Sequence, residues 1–130
     1  MKKLILLLSI LFISSNVIAQ ENHFINEIKA FRKQDSINKP QDGMLLFIGS
    51  SSFRLWKDVK SDFNNPNILN RAFGGATLLD LIYFQNDVVL KYKPKKIFIY
   101  CGENDIASSE KLTPKMVFKR NMAVSDKERT

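Results

Sequence analysis

Three polar stretches in this chain each follow an apolar run: GSSS at 49–52 after LLFI, FGGAT at 73–77 after NILNRA, and GENDIA at 102–107 after KIFIYC. A serine on a sharp strand-to-helix turn exposes its hydroxyl and keeps its own N–H free, as a nucleophile requires. A glycine lets its backbone N–H come close to a ligand, and an asparagine side chain offers an NH₂ donor. Ser51, Gly75 and Asn104 are therefore candidates for a nucleophile and for donors to a developing oxyanion, the parts that acyl-ester hydrolysis needs besides a base. Each also has a plainer reading. Ser51 suits a turn or helix cap, Gly75 a turn, and Asn104 an Asx-turn. The set gains specificity from its order, one member after each of three apolar runs.

The elements that must position these residues follow from periodicity. Phe24, Ile28 and Phe31 recur at i, i+4 and i+7, which predicts a leading helix ending before Pro40. QDG is a turn signal, and MLLFIG reads as a strand buried on both faces. NILNRAF is a second, shorter strand ahead of Gly74-Gly75. From Thr77 to Tyr92 the pattern is helical, with Leu78, Ile82, Val89 and Tyr92 on one side and Asp80, Asp87 and Lys91 on another. KIFIYCG is a third apolar strand running into the polar loop GENDIASSE. Thr113 as N-cap and Pro114 at the first helical position then predict a helix over TPKMVFKRNM, and SDKERT is a charged tail without apolar periodicity. Strands that are apolar throughout, alternating with helices, imply an α/β fold: a parallel sheet between helical layers, α/β/α. Right-handed crossovers would bring all three polar loops to one sheet edge, where ligands of such sheets bind.

Composition narrows the classes. MKKLILLLSILFISSNVIAQ has two lysines, an apolar run from Leu4 to Ile13 and small or short residues at Val17 and Ala19. It reads as a signal peptide over residues 1–19, cleaved after Ala19 for export to the periplasm or the extracellular space. The apolar run is about half of the roughly 20 residues a membrane span needs, so no stable span is expected after cleavage. The remaining 20–130 suffice for one domain with a modest core. Loss of Lys2 and Lys3 lowers the formal charge from +7 to +5, and the basic residues are scattered rather than striped with aromatics, which argues against nucleic acid as partner. Cys101 is the single cysteine, so there is no intrachain disulfide, and in an apolar strand it reads as a buried inert thiol. Glu103 and Asp105 flank Asn104, but two carboxylates without further ligands do not make a metal site, and no cofactor is expected. Arg54 and Trp56, just past Ser51, are read as packing the helix on the sheet, with lining of a ligand site as the alternative.

The order IGSSS, NRAFGGAT, CGENDIA resembles the SGNH hydrolases, the GDSL-type esterases and lipases, over about 24–114. The resemblance implies a flavodoxin-like SGNH hydrolase fold, with Ser50 where the family usually has aspartate and Ser51 as nucleophile. It implies an oxyanion hole formed by the Ser51 and Gly75 amides and the Asn104 side chain. The implied substrates are acyl or acetyl esters, for example of carbohydrates or lipids. The family's fourth block, Asp-x-x-His, has no counterpart: the single histidine, His23, precedes the leading helix. The expectation is therefore the N-terminal part of a secreted serine esterase, C-terminally incomplete, truncated or frameshifted after about Met116. By itself it would be inactive or weakly active, with the outer edge of the third strand exposed. Two other readings stand beside it. One is a noncatalytic module using the GSSS and GGAT loops to bind anions or sugars. The other is a flavodoxin-like nucleotide or flavin domain, which lacks a GxGxxG fingerprint here.

Overall fold

Leu45–Gly49 forms β1, the central strand of a three-stranded parallel sheet in the order β2-β1-β3, with β2 at Ile68–Asn70 and β3 at Lys96–Tyr100. The computed structural model describes residues 23–108 and 111–126, so the signal peptide expected over 1–19 lies outside the described residues. Leu45 pairs with Ile68 on one side and with Lys96 on the other, and the register runs on to Gly49 opposite Tyr100. Alternate β1 side chains enter two separate apolar layers, the consequence of the two-residue period of a strand. Leu46 and Ile48 join Phe24, Ile28, Phe73, Leu78, Leu81 and Val88 on one face. Phe47 joins Val59 and Ile68 on the other, with Phe53, Trp56 and Phe98 packed around them. Phe47 and Phe98 stack at 4.7 Å between ring centroids, and Trp56 meets the Phe47 ring edge-on at 6.1 Å.

The helices follow the chain in the order that covers both faces. The leading helix α1 spans Ile25–Ile37 and buries Ile28. The crossover from β1 to β2 runs through α2 (Ser51–Leu55) and α3 (Val59–Asp62) on the Phe47 face. The crossover from β2 to β3 runs through α4 (Leu78–Tyr83) and a π-helical segment at Asn86–Leu90 on the opposite face. The chain thus turns to opposite sides of β1 in succession, which makes the carboxyl ends of β1 and β3 the switch point of the sheet. Two further helices follow β3, α5 (Glu103–Ser108) and α6 (Pro114–Asp126).

Several sequence expectations change in detail. The helix expected over 77–92 is interrupted at Phe84 and continues with π geometry. That adds a residue to the local turn and rotates the buried face, so Leu81, Phe84 and Val88 are buried while Ile82 and Tyr92 are only part-buried. Its start is fixed by a reciprocal cap: the Thr77 side chain accepts from the Asp80 N–H, and the Asp80 carboxylate accepts from the Thr77 N–H at 2.9 Å. The GENDIASSE stretch, expected as a loop, is helical from Glu103 to Ser108. The expected tail also begins inside α6, which runs to Asp126 and buries Val124 in the main core. β3, expected to be buried on both faces, is only part-buried at Ile97, Phe98 and Ile99 and exposed at Lys96 and Tyr100.

A buried guanidinium closes the β2 side. Arg71, 5% exposed, donates through Nε to the Tyr92 hydroxyl at 2.8 Å and through Nη2 to Asp35 at 2.5 Å. The Tyr92 hydroxyl in turn donates to the other Asp35 oxygen at 2.7 Å, and Lys91 pairs with that oxygen at 2.5 Å. Burial opposes ionisation of Asp35, but the hydrogen bonds from Lys91, Tyr92 and Arg71 outweigh it and hold the carboxyl below its ordinary range. Burial, reinforced by Asp35, raises Tyr92 far above the ordinary phenol range. α1, β2 and the π segment are thereby tied together by charge-assisted bonds.

Candidate active site

The strand ends bring the three candidate loops to one edge. Gly49, the last residue of β1, and Gly102, two residues past β3, have φ values of +141° and +126°. These conformations are rare for residues with a Cβ. A Cβ at Gly49 would fall inside the Tyr100 carbonyl, so the close approach of the two strand ends depends on glycine there. The Phe73 N–H donates to the Gly49 carbonyl at 3.0 Å, bringing the exit of β2 to the same place.

The adjacent serines Ser50 and Ser51 have opposite environments. Ser50 caps α2 with an extended backbone and is fully buried. Its N–H donates to the Tyr100 carbonyl at 3.0 Å, its carbonyl accepts from Arg54 at 3.1 Å, and its hydroxyl donates to Glu103 Oε1. Every polar group of Ser50 is engaged, and no substrate can reach its oxygen. Ser51 is the first residue of α2. Ser51 is half-buried, and among the described residues neither its N–H nor its hydroxyl has a hydrogen-bond partner. A first-turn N–H has no intrahelical acceptor, which leaves it available to a ligand.

Gly75 is exposed at φ +79°, and a Cβ built on it would meet nothing within 4 Å, so open space lies before its backbone. Asn104, in the first turn of α5, donates from Nδ2 to the Ala76 carbonyl at 2.9 Å. That bond leaves the second amide hydrogen of Asn104 beside the Gly75 loop. The three candidates are thus linked through their neighbours: Ser51 follows Ser50, which bonds Glu103; Asn104 follows Glu103 and bonds Ala76, which follows Gly75.

Asp105 and Glu103 have separate roles. Asp105, 1% exposed, accepts from the Leu78 N–H and from Arg120 Nη1, both at 2.8 Å, and so fixes α5 against α4 and α6. Glu103 accepts from Ser50 at the other end of the same turn. Among the described residues no group of three or more metal-ligating side chains is assembled. Cys101 donates to the Ala76 carbonyl at 3.3 Å, and burial together with the charges of Asp105 and Glu103 pushes its thiol up to about 12. Trp56 packs on Phe47 and Phe53, as the packing reading holds. Arg54 instead lies 45% exposed with Nε bonded to Glu27 at 3.0 Å, its chain crossing Gly74. His23 is exposed just before α1, its ring beside that of Phe24.

The Ser50–Glu103 and Asp105–Arg120 contacts went unread in the sequence. A buried aspartate beside a glycine turn was a usable signal, but its arginine partner fifteen positions away carries no spacing rule. Two grooves, of about 680 and 330 Å³, lie along the β2 side, and none of Ser51, Gly75 or Asn104 lines them. No helix among the described residues is long and apolar enough to cross a membrane.

Comparison with known proteins places the fold. No protein-family model matches the chain, and no curated protein matches it. Among solved structures, one described as a putative platelet activating factor from Streptococcus pneumonia superimposes with a TM-score of 0.64 at 17% identity. The match covers 92% of this chain and 53% of that one, so this chain spans about half the length of its structural relative. At that identity the likeness concerns the α/β fold.

Proposed function

We propose that this chain carries the nucleophile and the oxyanion donors of an exported serine esterase of the SGNH type, acting on acyl or acetyl esters of carbohydrates or lipids. The observation that carries this reading is the contrast between Ser50, buried and fully bonded, and Ser51, whose N–H and hydroxyl are both free. The Ser51 oxygen attacks the ester carbonyl carbon as its proton passes to solvent water, and the carbonyl electron pair moves to oxygen. That oxyanion accepts from the Ser51 N–H, the Gly75 N–H and the free amide hydrogen of Asn104. Collapse of the intermediate breaks the bond to the alcohol, which leaves with a proton, and water then releases the acyl group from Ser51.

The base is the weak point of the site. No described residue accepts a hydrogen bond from the Ser51 hydroxyl, and an unassisted serine is a poor nucleophile at neutral pH. Donors and binding alone leave about 10³–10⁴-fold over water in a triad enzyme, which sets the upper value for this chain. The same lack of a base favours the second reading, a noncatalytic module whose loops bind carbohydrate or anion without turnover.

Hydrolysis of p-nitrophenyl acetate separates the two. Slow turnover that Ser51→Ala abolishes and Asn104→Ala lowers by roughly 10- to 100-fold supports the esterase. A background rate unchanged by either substitution rejects it in favour of the module.

A further inference from the structure

We infer that the β2 side of the molecule is a binding trough for a carboxylated sugar chain, entered at Arg54 beside the oxyanion loop; this deepens the esterase reading and rests on it for the role of Ser51. Two grooves on this side share Gln34, Lys60, Ile68 and Asn70 in their walls, so they form one depression running from Arg54 to Lys39. Its charges are of one predominant sign. Arg54, Lys57, Lys60 and Lys39 line it with exposed side chains, and Glu27 is the only acidic residue in either wall. Like-signed charges along a concave wall concentrate ligands of opposite charge.

The wall gives the ligand more character than an anion. It carries the amides of Gln34, Asn38 and Gln41, side chains that both donate to and accept from hydroxyls. A ligand that offers carboxylates to lysines and hydroxyls to amides is a sugar acid.

The trough also meets the candidate site. A Cβ on Gly74 would lie 3.1 Å from Arg54 Cδ and 3.5 Å from its guanidinium carbon, so the arginine rests on the backbone next to Gly75. Its Nε is held by Glu27, and neither Nη has a partner among the described residues. A carboxylate held there places the next sugar's ester near the Gly75 amide.

The test is equilibrium binding of the full chain to an oligogalacturonate of about six residues, against a neutral oligosaccharide of equal length and a single-stranded oligonucleotide. The acidic sugar is expected to bind more tightly than either, with affinity falling as salt rises. Lys57→Gln with Lys60→Gln should weaken it roughly tenfold, as two exposed charge contacts would. Lys119→Gln on α6 should leave binding unchanged, with unaltered thermal transitions confirming the fold. Equal binding of the neutral sugar or the oligonucleotide, or indifference to the lysine pair, overturns the trough. Retained acidic-sugar binding in a protein that shows no Ser51-dependent hydrolysis upholds the trough and rejects only the esterase reading.

Discussion

β1 and β3 lie side by side in parallel register, with similar sequences, LLFIG and KIFIY, and a positive-φ glycine stands at the end of the first and two residues past the second. Their surroundings differ. Among the described residues β1 has a strand on both sides and is buried from Leu46 to Gly49, whereas β3 pairs with β1 alone and leaves Tyr100 about half exposed. Apolar composition records that a strand can be buried on both faces; it does not record how many neighbours the strand has. β1 holds the fold together, and β3 positions the Asn104 turn from an edge.

The largest effects should come from the glycines that end the pair. Gly49→Ala would drive a Cβ into the Tyr100 backbone and should cost about 4 kcal/mol or more in chemical unfolding. Gly102→Ala meets only a Val117 methyl at 2.9 Å, which can shift, and should cost about 2 kcal/mol. Equal losses would mean that the two strand ends are equally constrained.

Cavity substitutions sharpen the same contrast. Leu46→Ala, at a fully buried position, should lose about 3 kcal/mol, while Ile97→Ala on the part-buried edge strand should lose about 1 kcal/mol. Denaturant midpoints at constant slope would measure both.

The side of β1 that carries β2 is closed by the Arg71 network, and Asp35→Asn tests that closure. Removing the charge leaves Arg71 buried without its partner and should cost about 2 kcal/mol at neutral pH. Because the folded-state pKa of Asp35 is depressed, its contribution is fully present above the unfolded value of about 4 and disappears as pH falls through the folded value. The gap between wild type and variant should therefore close in acid. A constant gap across the titration would show that the carboxylate charge is not what matters.

The smallest effect on stability belongs to the open edge. Tyr100→Lys should change stability by less than about 1 kcal/mol yet raise the concentration at which the purified chain aggregates, since a charge on an edge strand discourages pairing between molecules. Light scattering across a dilution series would show it.

The sheet and the meeting of the three loops were legible because strand apolarity and crossover handedness are local or general rules. The leading helix was legible from Phe24, Ile28 and Phe31, and α6 from Thr113-Pro114. The break at Phe84 was not, because a π segment inserts its extra residue without a characteristic sequence. The edge position of β3 was anticipated from the resemblance, whereas its apolar sequence by itself suggested burial. At the site, the resemblance points to Ser51 rather than Ser50 as the proposed nucleophile. A physical difference between the two is visible only in the fold, where β3 brings Glu103 up to Ser50 and leaves its neighbour unbonded.

That difference between neighbouring serines is the central claim, and mass-spectrometric mapping of a fluorophosphonate adduct tests it most directly. The expected result is slow modification of Ser51 alone, unchanged in Lys119→Gln and lost in Ser51→Ala. Modification of Ser50 or Ser52 at a comparable rate, or none at Ser51 after prolonged exposure, would contradict the assignment.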